Sequence, residues 1–199
     1  MIYEVTITGI RPLLMHSGAG IDPDHPANIE KDEILRKRTT TRTDSETERL
    51  HELECRVSLW LTEDERPTIP SMAIRACLEV AARRLRQGPQ VREGLSVLPD
   101  TAFEYDEERY GTTLDEIVQN TQFRTGVVVQ RQRFLRTRAR FDLPWSCTFQ
   151  ADCDDELVDQ RQLESWLEIA GRRIGLGDWR PEKSGDYGRF EVTKLDQVE

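Results

Sequence analysis

Histidine and cysteine are both sparse in this sequence of 199 residues: three of the former, four of the latter. His16, His25 and His51 are too few and too scattered for a zinc site to be expected. Cys55, Cys77, Cys147 and Cys153 show no CxxC spacing, so reduced thiols are expected rather than disulfides or metal ligands. No apolar run approaches the roughly 18 residues that a membrane span needs. The opening "MIYEVTITGI" has no basic segment followed by an apolar one, so no signal peptide is expected. These absences lead us to expect a cytoplasmic protein with no cofactor and no membrane partner.

Apolar residues make up 37% and charged residues 33%, the composition of a polar globular chain. The length suits one domain over 1–199, with insertions expected at 17–45 and 100–140. Net charge is −9, which by itself argues against a nucleic-acid binder. The cations are unevenly placed, however. Six arginines and no acid lie between Arg124 and Arg140, and four cations and no acid between Arg36 and Arg42. An acidic chain can still focus positive potential in one groove.

Hydrophobic periodicity gives the elements. "YEVTITGI" alternates as a half-buried strand. "SGAGIDPDHPAN" reads as a loop, and "IEKDEILRKRTTTRT" as an inserted arm without clear pattern. In "DSETERLHELE" a cap at Asp44 or Ser45, with Glu48 closing a capping box, starts a short helix. "RVSLWL" alternates as a strand or continues that helix. "PTIPSMAIRACLEVAARRLRQG" predicts a helix with Ser71 as N-cap. Ile74, Cys77, Leu78, Ala81, Ala82 and Leu85 form its inner face, and Gly88 closes it. "LSVLPDTAFEY" reads as strand, turn and strand, and "TTLDEIVQNTQF" as a short amphipathic piece or an edge insertion. "PWSCTFQADCD" is a strand. "DQRQLESWLEIAG" is a helix capped by Asp159 and closed by Gly171, and "RFEVTKL" is a last strand. Two helices against an antiparallel sheet in this order predict an α+β, ferredoxin-like βαββαβ core.

The segment "GRRIGLGDWRPEKSGDYGRF" gathers glycines, arginines and aromatics after a helix C-terminus. A nucleotide cradle places its glycines before a helix, so neither nucleotide motif applies. Two readings remain. In one, Gly175 and Gly177 let backbone approach a ligand while Arg180, Arg189, Trp179 and Tyr187 supply cations and stacking faces. In the other, the segment is a tight helix-to-strand connection with Trp179 plugging the core.

"AGRRIGLGDWRPEKSGDYGRFEV" resembles the C-terminal glycine-rich signature of the RAMP superfamily, the RNA-binding subunits of CRISPR effector complexes. "PTIPSMAIRACLEVAARRL" resembles that family's first core helix. Within that family the chain resembles small single-domain members encoded in phages and prophages. The resemblance implies a modified RNA-recognition-motif fold and head-to-tail assembly, with other effector-complex subunits as further partners. It also implies RNA backbone running past the loop at Gly175, Gly177, Arg180 and Gly188 and past the helix start at Ser71 to Arg75. The Ser71 and Met72 amides would then hold a phosphate. Arg75 either reaches the same phosphate or faces solvent.

In a strand, residues two apart share a face. Arg131 and Arg133 therefore line one side of their segment, and Arg136, Arg138 and Arg140 another. That is a basic ribbon suited to phosphates, or to carboxylates of its own or a neighbouring chain. Arg36, Lys37, Arg38 and Arg42 form a hydroxyl-rich cationic arm that orders on RNA, or a solvated loop. Some RAMP relatives cut RNA with a loop after the first strand. Here that loop offers His16, Asp22, Asp24 and His25, at no diagnostic spacing. The function expected is sequence-independent binding of single-stranded RNA or DNA by a self-assembling subunit. The alternatives are a phage assembly or host-interaction protein forming filaments without nucleic acid, and an endoribonuclease.

Overall fold

The structure is a computed structural model that describes residues 1–98, 101–129 and 132–198, with the side chains of 127–134 outside the description. In chain order the elements are β1 (Ile2–Gly9), β2 (Leu13–Leu14), α1 (Pro26–Arg36), α2 (Asp44–Arg56), α3 (Ser71–Arg84), α4 (Gly88–Gly94), β3 (Leu95–Val97) and β4 (Ala102–Tyr105). There follow α5 (Glu107–Tyr110), α6 (Leu114–Thr121), β5 (Gln122–Val129), β6 (Gln132–Phe141), β7 (Trp145–Cys153), α7 (Gln160–Ile169) and β8 (Phe190–Gln197). The chain is α+β with antiparallel sheets. It divides into two compact units, Met1–Leu14 with Pro67–Asp106 and Phe141–Glu199, and Met15–Arg66 with Glu107–Arg140. The second unit takes in the segment 17–45 and most of 100–140. It also includes residues 46–66.

The first unit is built on a five-stranded antiparallel sheet in the order β3–β7–β1–β8, with β4 also paired to β7. Strand alternation sends Tyr3, Val5 and Ile7 of β1 and Trp145, Cys147, Phe149 and Ala151 of β7 into one core. Ile74, Cys77, Leu78, Ala81 and Ala82 of α3 and Leu163, Trp166 and Leu167 of α7 supply its other half, all buried. Both buried indoles find acceptors: Trp145 Nε1 donates to the Arg11 carbonyl at 2.8 Å and Trp166 Nε1 to Gln87 at 2.7 Å. Phe103 meets Phe141 edge-on at 5.3 Å.

Helix ends differ from expectation by a turn or less. Pro70, not Ser71, is the N-cap of α3, and it offers no side-chain bond. Gly88 does not close α3. Arg86 takes the left-handed turn at φ 62°, and Gly88 starts α4. Leu85 is exposed rather than inward. Asp159 and Gln162 make the capping box of α7. Gly171 does not end it: a π-turn carries the helix on through Ala170–Ile174, and Gly175 at φ 77° closes it. β3 and β4 form as expected, though each pairs with β7.

The second unit corrects the sequence reading more deeply. The stretch taken as a loop and an unpatterned arm contains α1, with His25 as N-cap and Pro26 at the first helical position. Buried Asn28 ties the preceding loop down by donating to the Ala19 and Asp22 carbonyls, each at 2.7 Å. The capping box of α2 is Thr43 with Glu46, not Asp44 or Ser45 with Glu48. "RVSLWL" is not a strand: α2 runs to Arg56 and the chain then turns, burying Val57 and Leu59. Ala27, Leu53 and Val57 form a small core that Ile34 joins. α6 starts on a Thr113–Glu116 capping box and buries Ile117 and Val118. β5 and β6 form an antiparallel hairpin with Phe123 opposite Arg138 and Thr125 opposite Arg136. No described helix is long and apolar enough to cross a membrane.

Candidate nucleic-acid interface

The glycine-rich loop leaves α7 and returns to the sheet as β8. It is strapped to the segment after β1: Asp178 N–H donates to the Leu14 carbonyl at 2.7 Å and Gly188 N–H to the Pro12 carbonyl at 2.8 Å. Leu176 N–H donates to Gly188 across the loop at 2.9 Å. Gly177 sits at φ 76°, and a Cβ there would fall inside van der Waals contact of the Leu14 carbonyl oxygen. Gly188, at φ 65°, stands in the same relation to Leu176. The close backbone approach that these glycines permit is thus to the chain's own backbone. Ile174, Leu176 and Phe190 are the hydrophobic side chains of this segment that reach the core.

Trp179 does not plug the core. It is 39% exposed, at φ 48°, and its ring stacks on that of Tyr187 at 6.2 Å with planes 5° apart. The cations around this pair are engaged. Arg180 donates to the Gly177 carbonyl at 2.9 Å and to Glu182 at 2.7 Å. Glu182 titrates below the usual carboxylate range: burial would raise it, but bonds from Lys183 and Arg180 outweigh that. Arg189 donates to Asp186 at 2.6 Å and to the Arg172 carbonyl, and Arg11 donates to the same Asp186 at 2.8 Å. Hydrogen bonds from Arg11 and Arg189 hold the Asp186 carboxyl low. Arg11 and Asp186 escaped sequence reasoning, because 175 residues separate them and neither belongs to a local pattern.

At the start of α3 the amides of Ser71 and Met72 open a helix with no side-chain cap, and Met72 is 80% exposed. The half-buried Arg75 guanidinium donates to the Leu95 carbonyl and the Arg92 carbonyl, both at 3.0 Å, and so clamps α3 to the end of α4. The open face of the sheet carries hydroxyls and acids: Thr6 bonds Thr148, Thr8 bonds Thr193, and Ser146 donates to Glu104. No aromatic ring stands on that face of β1, β7 and β8 among the described residues, so bases find no stacking platform there.

In the second unit Arg136, Arg138 and Arg140 do share a face of β6, with Thr137 and Ala139 buried on the other. Arg136 donates to Glu54 of α2 at 3.0 Å, and Arg140 lies over the Phe123 ring at 4.8 Å. Arg131 lies outside the described residues, as does the side chain of Arg133. The cationic arm is an ordered connector. Arg42 donates to the Leu35 and Lys37 carbonyls and so caps the end of α1, and Lys37 pairs with Glu46. Arg36 and Arg38 are exposed. Of the residues weighed for cleavage, His25 Nδ1 accepts the Ala27 N–H at 3.2 Å and Asp22 accepts the Asp24 N–H at 3.0 Å, both turn chemistry. His16 and Asp24 are exposed. Among the described residues no group of three or more His, Cys, Asp or Glu could hold a metal ion.

No protein-family model matches this sequence, and no curated protein matches it significantly.

Proposed function

We propose that the chain is a RAMP-like subunit that binds single-stranded RNA or DNA through backbone and stacking contacts and assembles with copies of itself head-to-tail. The fold proposed for the first unit is ferredoxin-like. Omitting the second unit's elements, chain order is strand (β1), helix (α3), strand (β3 with β4), strand (β7), helix (α7), strand (β8). Their order in the sheet supports the assignment. The single observation that carries the function is the Trp179–Tyr187 stack. A glycine-rich loop bound down on both sides holds two parallel rings at the surface, with Arg180, Lys183 and Arg189 in the same segment. A base stacked on such a ring is worth about 1–3 kcal/mol without regard to sequence. The uncapped start of α3 supports a phosphate contact in the same unit.

A second reading has an observation of its own. Arg11, Arg136, Arg180 and Arg189 all bond carboxylates of this chain. That arrangement favours a protein that assembles, or binds a host protein, without nucleic acid. Purified protein separates the readings. A ratio of absorbance at 260 to 280 nm above that of bare protein, with extractable RNA or DNA, supports the first. A ratio of bare protein, with no retention of added oligonucleotide, leaves the second.

A further inference from the structure

We propose that β8 presents a self-complementary edge through which two copies of this chain pair, antiparallel, about a two-fold axis at Val192. β8 is the last strand of its sheet, bonded to β1 alone among the described strands. Its ladder fixes which groups face outward. Ile10 N–H donates to the Arg189 carbonyl at 2.9 Å and Val198 N–H to the Ile2 carbonyl at 2.8 Å. Alternation from both ends, with a bulge opposite Thr6 and Ile7, turns the N–H and C=O of Phe190, Val192 and Leu195 away from β1. The side chains of these three residues stand on the helix-covered face. With Ile10 and Leu167 they line a groove of about 600 Å³ beside α7. Glu191, Lys194 and Asp196 stand on the other face.

Paired on itself about Val192, with the bulged Thr193 of each copy left out of the ladder, the strand meets a complement at each remaining position from Arg189 to Asp196. Val192 faces its twin. Phe190 faces Leu195, Glu191 faces Lys194, and Arg189 faces Asp196, each pair occurring twice. The outward backbone groups of Phe190, Val192 and Leu195 fall in hydrogen-bonding positions in this register. Both neighbouring registers fail. An axis at Lys194 opposes two lysines and sets Glu191 against Asp196. An axis at Glu191 opposes two glutamates and sets Arg189 against Lys194. Bulges and lysines are the usual devices that keep an exposed edge from open-ended pairing. Here they leave one closed, isologous arrangement. Apolar Phe190, Val192 and Leu195 of the second copy would then lie along the rim of the groove. The inference does not depend on nucleic acid, and the head-to-tail contact proposed above would use other surfaces.

Sedimentation equilibrium on protein washed free of nucleic acid tests it. Wild type is expected at twice the chain mass of 23.1 kDa. Val192→Lys sets two ammonium groups on the axis, and Lys194→Glu sets carboxylate against Glu191. Each should raise the dimer dissociation constant at least about tenfold while circular dichroism stays native. The double exchange Glu191→Lys with Lys194→Glu restores the charge pair between the copies, though not the bonds of Lys194 to Glu4 and Asp196 within each chain, and should bring dimerisation back. The proposal is overturned by a wild-type monomer at about 100 μM, where even a weak edge dimer would be populated. It is equally overturned by a dimer or larger species that survives both single changes, or by a folded double variant that stays monomeric.

Discussion

Glu54 and Arg136 join α2 to the hairpin: Arg136 donates to one carboxylate oxygen of Glu54 at 3.0 Å, while the other accepts the Thr137 N–H at 2.9 Å. Ser58, four residues further on, accepts the Ala139 N–H at 2.8 Å. Side chains of the α2 segment thus take the bonding positions of a neighbouring strand along β6. Glu54→Ala would strand a buried N–H and a guanidinium together. It should lower stability by about 2–4 kcal/mol, read by urea denaturation. Because of this bond, Arg136→Glu would weaken the second unit before it tested any phosphate contact.

Gly177→Ala is expected to distort the glycine-rich loop. A side chain at φ 76° is strained, and its Cβ would press on the Leu14 carbonyl. A cost of about 2 kcal/mol or more is expected from the two effects together. Trp179 fluorescence should report the loosened loop. Gly126→Ala is the control, since nothing lies within 4 Å of a Cβ there.

The pairings just described mark where sequence reasoning stopped. β1, α3, β7 and α7 were legible because a period of two or of 3.6 runs uninterrupted along each, and burial of one face enforces it; β8 was legible from the alternation ahead of its bulge at Thr193. α1 was not legible. Its core contact rests on Ala27 and Ile34 alone, and its start depends on a histidine cap that reads as turn chemistry. "RVSLWL" alternates like a strand, but its Ser58 turns inward to bond Cys55 and Ala139. In the candidate site the exposed aromatic pair was legible as two rings in one loop. That Arg75, Arg180 and Arg189 would be spent on carbonyls and carboxylates was not, because those acceptors come from tertiary folding.

His51 gives the second unit a pH dependence of definite sign. Burial, and then the positive charge of Arg124, lower its pKa below the usual 6.5, and its Nε2 is buried without a hydrogen-bond partner. Glu48 and Glu54 oppose the shift without cancelling it. The unfolded chain therefore takes up the proton first. Stability is full above the unfolded value and is lost as pH falls below about 6.5. Thermal melts at decreasing pH should show this loss in wild type, and His51→Gln should flatten it.

Burial raises all four thiols, Cys55 and Cys153 to about 11 and Cys77 and Cys147 to about 12. All four are free and buried. A thiol reagent at mildly alkaline pH should label the native chain slowly at every cysteine and label all four rapidly in denaturant. Rapid labelling of Cys77 in the native state would mean that α3 and the segment around Gly175, whose carbonyl accepts its S–H at 3.3 Å, come apart.

The central claim is that a surface aromatic pair on a glycine-rich loop binds single-stranded nucleic acid. The most direct test is fluorescence anisotropy of a labelled oligouridylate of about twenty nucleotides, titrated with wild type and with Trp179→Ala at several salt concentrations. The account predicts binding that weakens steeply with salt and a loss of roughly fivefold to a hundredfold on removing the ring. Absence of binding by wild type at low salt, or equal binding by the two proteins, would contradict it.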